Sequence, residues 1–217
     1  MNMKTTRICL VRHGETAWNA EKRIQGHVDI PLNNEGLAQA DAAARYLSGQ
    51  PVAALYSSDL QRAWQTAERI GVALDLTPVA TPELRERRYG IFEGLTYADA
   101  RIVHPAAYCL FEQRDPDQVI PEGGESLRQI DERVTGCLGR LAAEHGGETI
   151  VVVTHGGVLD ITNRFVRGNP LELPRDFLIP NAGINWVSVN GDRWALDVWG
   201  DTRHLLTGAL DEIDLPA

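Results

Sequence analysis

The chain has 217 residues, 43% apolar and 24% charged, which is enough for one sizeable α/β core and offers no apolar run long enough to span a membrane. Its formal charge of −9, from 21 Lys and Arg against 30 Asp and Glu, excludes the basic surface that nonspecific nucleic-acid or anionic-membrane binding requires. An anionic ligand must therefore be met by a local cluster of arginines.

The opening MNMKTTRICLVRHGE has an apolar run too short, and too broken by Arg7 and Arg12, to act as a secretory signal. Cys9, Cys109 and Cys137 are odd in number, far apart and without metal-ligand spacing. Both features point to inert thiols in a reducing, cytoplasmic setting. TRICLVRHG reads as a buried strand that ends near Arg12 in a tight turn at Gly14. NNEGLAQADAAARYL places Leu37, Ala40, Ala44 and Leu47 at helical spacing behind an Asn33 N-cap. VAALYSS predicts a second strand running into a helix whose stripe is Leu60, Ala63, Trp64, Ala67 and Ile70, with Arg62 in its first turn.

A short third strand is expected around Thr77–Ala80. Residues 83–125 carry Gly, Pro and short helical patches, and read as a cap-like insertion in an otherwise single domain spanning 1–217. A long amphipathic helix follows, with Leu127, Ile130, Val134, Cys137, Leu138 and Leu141 on one stripe. ETIVVVTHGG repeats the opening strand-histidine-glycine pattern, VLDITNRFVRG reads as another helix, and INWVSVNGDRWALDVW reads as a hairpin with a type I′ turn at Asn190-Gly191. Its Trp186 and Trp194, with Trp199 beyond them, suit core packing better than ligand stacking. Alternating strands and helices imply an α/β fold: three layers, α/β/α, around a mainly parallel sheet with an antiparallel edge and a small helical cap.

In open α/β sheets the ligand crevice lies beyond the carboxyl ends of the strands, where LVRHG and VVVTHGG each deliver a histidine. A histidine nucleophile attacks through an unprotonated nitrogen, and neighbouring guanidinium groups disfavour its imidazolium form. Phosphoryl transfer spreads negative charge over equatorial oxygens and needs fixed, multidentate donors. Arg12, Arg62 and His155 suit that role around His13. Paired histidines also suggest zinc, but Arg12 beside His13 would repel a cation, and neither histidine has the close His or Cys spacing of typical sites.

LVRHGETAWN, SSDLQRAWQTA, LRERRYGIFEG, PEGGESL and VVVTHGG, in this order along nearly the whole chain, resemble the histidine phosphatase superfamily, also called phosphoglycerate mutase-like. The resemblance implies a transient phosphohistidine at His13, a phosphoryl pocket of Arg12, Arg62 and His155, and Glu86 as proton donor. A carboxyl with a raised pKa can protonate an alkoxide as it leaves and then activate water. Without the motif, Glu86 reads as an exposed glutamate paired with Arg85, Arg87 or Arg88. Asn19, Gln25 and Gly26 match positions that contact phosphate or substrate in similar proteins, and Gly156 is placed with them. Ser57 is expected either behind the site or as a helix cap, and Glu125 and Ser126 as a helix start. His27, His104, His145 and His204 show no ligand constellation.

The resemblance covers both phosphatases and cofactor-dependent mutases. In the mutases a longer insertion carries an arginine pair and a lysine follows the GL element, whereas this chain has Tyr97 at that position and a short, acidic segment from His104 to Glu122. ERRYG keeps Arg87 and Tyr89, as mutases do. The expectation is a metal-independent phosphomonoester hydrolase acting on a small phosphorylated metabolite, without a cofactor. A mutase is the alternative, and a noncatalytic phosphoprotein- or metabolite-binding module is the reading from another class. Similar proteins often pair through an edge strand, so a homodimer is possible.

Overall fold

The computed structural model describes residues 4–205 and 209–211. Six strands, β1 (Thr6–Arg12), β2 (Ala54–Ser57), β3 (Val79–Ala80), β4 (Thr149–Thr154), β5 (Ile184–Asn190) and β6 (Arg193–Asp201), form one sheet in the order β3-β2-β4-β1-β5-β6. The pairs β1·β4, β2·β4 and β2·β3 are parallel, and β5 and β6 add an antiparallel edge beside β1. The helices are α1 (Ala17–Ala20), α2 (Asn34–Leu47), α3 (Gln61–Leu74), α4 (Tyr97–Val103), α5 (Pro105–Glu112), α6 (Leu127–Glu144) and α7 (Gly156–Arg167).

The period of two along β1 explains the layering. Ile8 and Leu10 face one side and pack with Ile130, Val134 and Leu138 of α6 and Leu159 of α7; Cys9 and Val11 face the other and pack with Ala43 and Leu47 of α2 and Ala63 and Ile70 of α3. Each fully buried aliphatic side chain contributes roughly 1.5–3 kcal/mol, so the central strands are anchored from both faces. Helix starts are set locally. Asn33 accepts from the Gly36 amide at 2.8 Å, and Ser126 forms a capping box with Gln129.

Several local expectations differ from the fold. The third strand has only two residues. Leu37 and Trp64 are half-buried, the Trp64 indole donating to Glu68 at the surface. Asn190 pairs with Arg193, so the hairpin loop is Gly191-Asp192; only Gly191 has a positive φ, 60°, whereas a type I′ turn needs it at both positions. Trp186 is buried, and Trp194 and Trp199 pack against the main core. Within 83–125, Leu84 still belongs to the main core. The segment then builds a separate cluster from Phe92, Ala100, Tyr108 and Ile120, completed by Ile24. Among the described residues no helix is long and apolar enough to cross a membrane.

Candidate active site

The sheet register creates the site. Arg12 is paired with Thr154 across the parallel β1·β4 ladder, so the next residue of each strand, His13 and His155, emerges side by side. The His13 amide donates to the Thr154 carbonyl at 2.9 Å, and the two imidazole centroids lie 5.1 Å apart, tilted by 59°. The His13 carbonyl accepts from the Ala182 amide at 3.2 Å and the Asn181 side chain at 3.1 Å, which fixes its backbone. Gly14 is required by a close approach: a Cβ there would stand 2.3 Å from the Gly36 carbonyl oxygen.

The His13 tautomer follows from its contacts. Nδ1 lies 2.7 Å from the Gly14 carbonyl, which can only accept, so Nδ1 carries the proton and the lone pair sits on Nε2. Burial first, then Arg62 and Arg12, push the imidazole well below its ordinary value. His155 is pushed the same way by burial, then Arg62. It N-caps α7 with extended backbone, and its Nε2 is 2.8 Å from Ser58 Oγ. The serine behind the site is thus Ser58. Ser57 instead donates to the Ser58 carbonyl, and the N-cap of α3 is Leu60.

Arg12 and Arg62 are both buried. Arg62, in the first turn of α3, donates to the carbonyls of Gly26 at 2.8 Å and Val28 at 3.0 Å; Arg12 donates to the Ile179 carbonyl. Glu86 is 6% exposed. Arg85 forms a two-point pair with Asp59, Arg87 donates to the Glu125 carbonyl, and the Arg88 amide donates to the Glu125 carboxylate. Both Glu86 carboxylate oxygens instead accept from the Gly157 amide at 3.0 Å, and Oε1 also accepts from the Arg87 amide at 2.6 Å. The carboxylate therefore sits at the N-terminus of α7, where amides and helix dipole favour an anion. Gly157 provides the close approach, since its Cβ would lie 2.2 Å from Glu86 Oε1; at Gly156 a Cβ would meet Arg12 and Glu86 at an ordinary 3.7 Å.

Gln25 and Gly26 line a recess with His13, Arg62, Glu86, Tyr89 and Tyr97. Gly26 adopts a φ of 52°, and Gln25 Nε2 is buried with no hydrogen-bond partner among the described residues. Asn19 is buried nearby, but its side-chain oxygen accepts from the Thr16 amide at 3.0 Å, closing the capping box of α1. Tyr89 and Tyr97 also wall a larger cavity of about 660 Å³, shared with Arg12, Gly156, Lys22, Arg87, Phe111 and Arg114. Arg87 is buried over the Tyr89 and Phe111 rings, 5.7 Å from each centroid; its hydrogen bonds go to a carbonyl, and no carboxylate pairs with it among the described residues. Glu125 does more than begin a helix, pairing with Arg133 at 2.8 Å while it holds Arg87 and Arg88. Among the described residues no group of three His, Cys, Asp or Glu side chains is placed to hold a metal ion.

Two buried histidines and two buried arginines converge at the ends of the parallel strands, a lining whose positive charge suits a compact anion. The family model described as "Histidine phosphatase superfamily (branch 1)" matches residues 8–202, and the chain belongs to that superfamily as one of its phosphatases. The chain is 44% identical over 201 residues to phosphoglycerate mutase-like protein 4 of Arabidopsis thaliana, covering 91% of this chain and 86% of the relative. It is 41% identical over 210 residues to a metal-independent phosphoserine phosphatase of Arabidopsis thaliana, covering 93% and 84%. The solved phosphoserine phosphatase of Entamoeba histolytica in complex with 3-phosphoglyceric acid superposes with a TM-score of 0.82 at 27% identity, over 93% of this chain and all of that one (100%).

Proposed function

We propose that the protein hydrolyses a small phosphomonoester without metal, through a phosphohistidine on His13. The observation that carries this reading is the neutral His13 tautomer: Nδ1 is tied to the Gly14 carbonyl, Nε2 keeps its lone pair, and the charges of Arg62 and Arg12 act on the ring. Nε2 attacks phosphorus as the ester P–O bond breaks, and the departing oxygen takes a proton from Glu86, whose carboxylate takes that proton up when the bound phosphate brings negative charge beside it. The transferring group spreads its charge over oxygens faced by Arg12, Arg62 and His155, the last held by Ser58. Water then attacks the phosphohistidine while the Glu86 carboxylate takes its proton. The P–N bond breaks, phosphate leaves, and His13 returns neutral with Glu86 protonated.

Gln25 and Gly26 line the same recess and serve the phosphoryl group, Gly156 brings the start of α7 against Arg12 and Glu86, and Asn19 shapes the loop that carries Gln25. The segment after Leu84 acts as the cap over the leaving group. A buried Arg87 without a carboxylate partner, over two aromatic rings, supports a leaving group that itself bears an anionic substituent. Phosphoserine, the substrate in the name of one relative, and 3-phosphoglycerate, bound in one similar solved structure, have that chemistry.

The test is phosphorus NMR of the chelator-treated protein with phosphoserine, and with 3-phosphoglycerate plus catalytic 2,3-bisphosphoglycerate. Growth of inorganic phosphate supports the hydrolase. Formation of 2-phosphoglycerate without phosphate release replaces it with a mutase.

A further inference from the structure

We propose that His27 is a positioning residue for Glu86, coupling the loop that holds Arg62 to the group that handles the proton. The proposal rests on the hydrolytic reading above. His27 lies between Gly26 and Val28, the two residues whose carbonyls accept from Arg62 at 2.8 and 3.0 Å. From there its ring reaches across to the segment carrying Glu86, with Nε2 2.7 Å from the Glu86 carbonyl oxygen. Its other nitrogen, Nδ1, accepts from Arg88 Nε at 3.1 Å. Because Arg88 can only donate, Nδ1 holds the lone pair and Nε2 carries the proton, so the bond to Glu86 is a donated one. Burial pushes His27 below its ordinary value and outweighs the opposing bond to the Glu86 carbonyl, with Arg88 acting in the same direction as burial, so the ring is held neutral.

A second strap runs parallel to the first. Glu93 Oε1 accepts from the His27 amide at 3.2 Å and from the Tyr89 amide at 3.0 Å, tying the same two segments together. Gly26 permits that strap, since a Cβ on it would stand 2.1 Å from Glu93 Oε1. The Glu86 carbonyl also accepts from Arg133 Nη2, at a longer 3.3 Å. His27 is therefore the short, directed contact that sets the Glu86 backbone relative to the phosphoryl pocket, while the carboxylate is set by the Gly157 and Arg87 amides. A shift of about 1 Å in a catalytic group can cost on the order of a hundredfold in rate.

Positioning of a proton donor has a signature that general damage lacks. Its loss slows esters whose leaving oxygen needs a proton and spares those whose leaving group departs as an anion. We would measure kcat/KM for an alkyl phosphate and for p-nitrophenyl phosphate in the full-length His27→Phe, His27→Gln and Glu86→Gln variants. For His27→Phe the expected result is a loss of roughly ten- to hundredfold on the alkyl ester and under about threefold on the aryl ester. Glutamine can place an N–H where histidine Nε2 lies, so His27→Gln should recover most of the alkyl activity. His27→Phe added to Glu86→Gln should cost little more than Glu86→Gln alone.

Equal loss on both esters in His27→Phe, no loss at all, or a His27→Gln as defective as His27→Phe overturns the proposal and leaves the phosphatase reading standing. Equal loss on both esters in Glu86→Gln overturns the role of Glu86 itself, and with it the proposal.

Discussion

The phosphoryl end of the site and the leaving-group end are built in different ways. His13, His155, Arg12 and Arg62 stand at the ends of strands and the first turn of a helix, all of them buried, with β1 paired on both sides and packed on both faces. Arg87 and Tyr89 sit on an irregular segment and Phe111 on the short α5, around a satellite cluster of five buried residues, Ile24, Phe92, Ala100, Tyr108 and Ile120. A group that must aim at a transferring phosphoryl needs the stiffness of the sheet, whereas the part that chooses a leaving group can be rebuilt without disturbing it. On the proposed function, the contrast separates chemistry in the recess from selection in the larger cavity, with Tyr89 and Tyr97 lining both.

The largest way to break this comparison is at the rigid end. His13→Ala should lower turnover by at least about 10³-fold on every phosphomonoester while the protein still melts cooperatively, followed by phosphate release and circular dichroism. Next, Arg62→Lys keeps the charge but cannot span the Gly26 and Val28 carbonyls as the guanidinium does, and a loss of roughly a hundredfold in kcat/KM is expected for alkyl and aryl esters alike. A loss confined to one leaving group would mean that Arg62 belongs to selection.

Acid should weaken the same end. His13 and His155 have folded values well below the ordinary 6.5, so between those values and 6.5 the unfolded chain binds more protons and stability falls as pH falls. Each contributes a loss of up to about 2 kcal/mol by pH 5. Urea unfolding at pH 7 and pH 5 measures it, and equal stabilities would contradict a buried neutral pair. The smallest effect belongs to the other end. Phe92→Ala, which opens the satellite cluster, should raise KM for a substrate with an anionic leaving group by roughly three- to tenfold, with kcat on p-nitrophenyl phosphate within about twofold.

The same division explains what the sequence could reveal. The strand-histidine-glycine repeats made the rigid end legible, because a period-two apolar run that stops at a glycine locates a strand end, and two such ends in a parallel sheet must meet. Arg62 was legible for the same reason, lying where a strand pattern changes to a helical one. What escaped were partners chosen across the chain. Ser58 rather than Ser57 meets His155, 97 positions away, and His27 meets Glu86 across 59; adjacent serines and a lone histidine carry no local mark of that pairing. The Gly191-Asp192 loop was missed by one residue: Asn190 pairs with Arg193 as the last rung of the ladder, and its side chain donates to Thr5 Oγ1, 185 positions away, at 3.0 Å. The role of Glu125 was hidden behind its neighbour Ser126, whose capping signal is strong and local.

The most direct test of the account is to quench the protein rapidly during turnover of a phosphomonoester and locate the label by mass spectrometry and two-dimensional NMR of the imidazole. The account predicts phosphate on His13 at Nε2, because the Gly14 carbonyl holds the Nδ1 proton, and a phosphohistidine that accumulates when Glu86 is replaced by glutamine and an aryl phosphate supplies the phosphoryl group. Phosphate on His155 or on His13 Nδ1, or phosphate release with no labelled histidine in either protein, would contradict it.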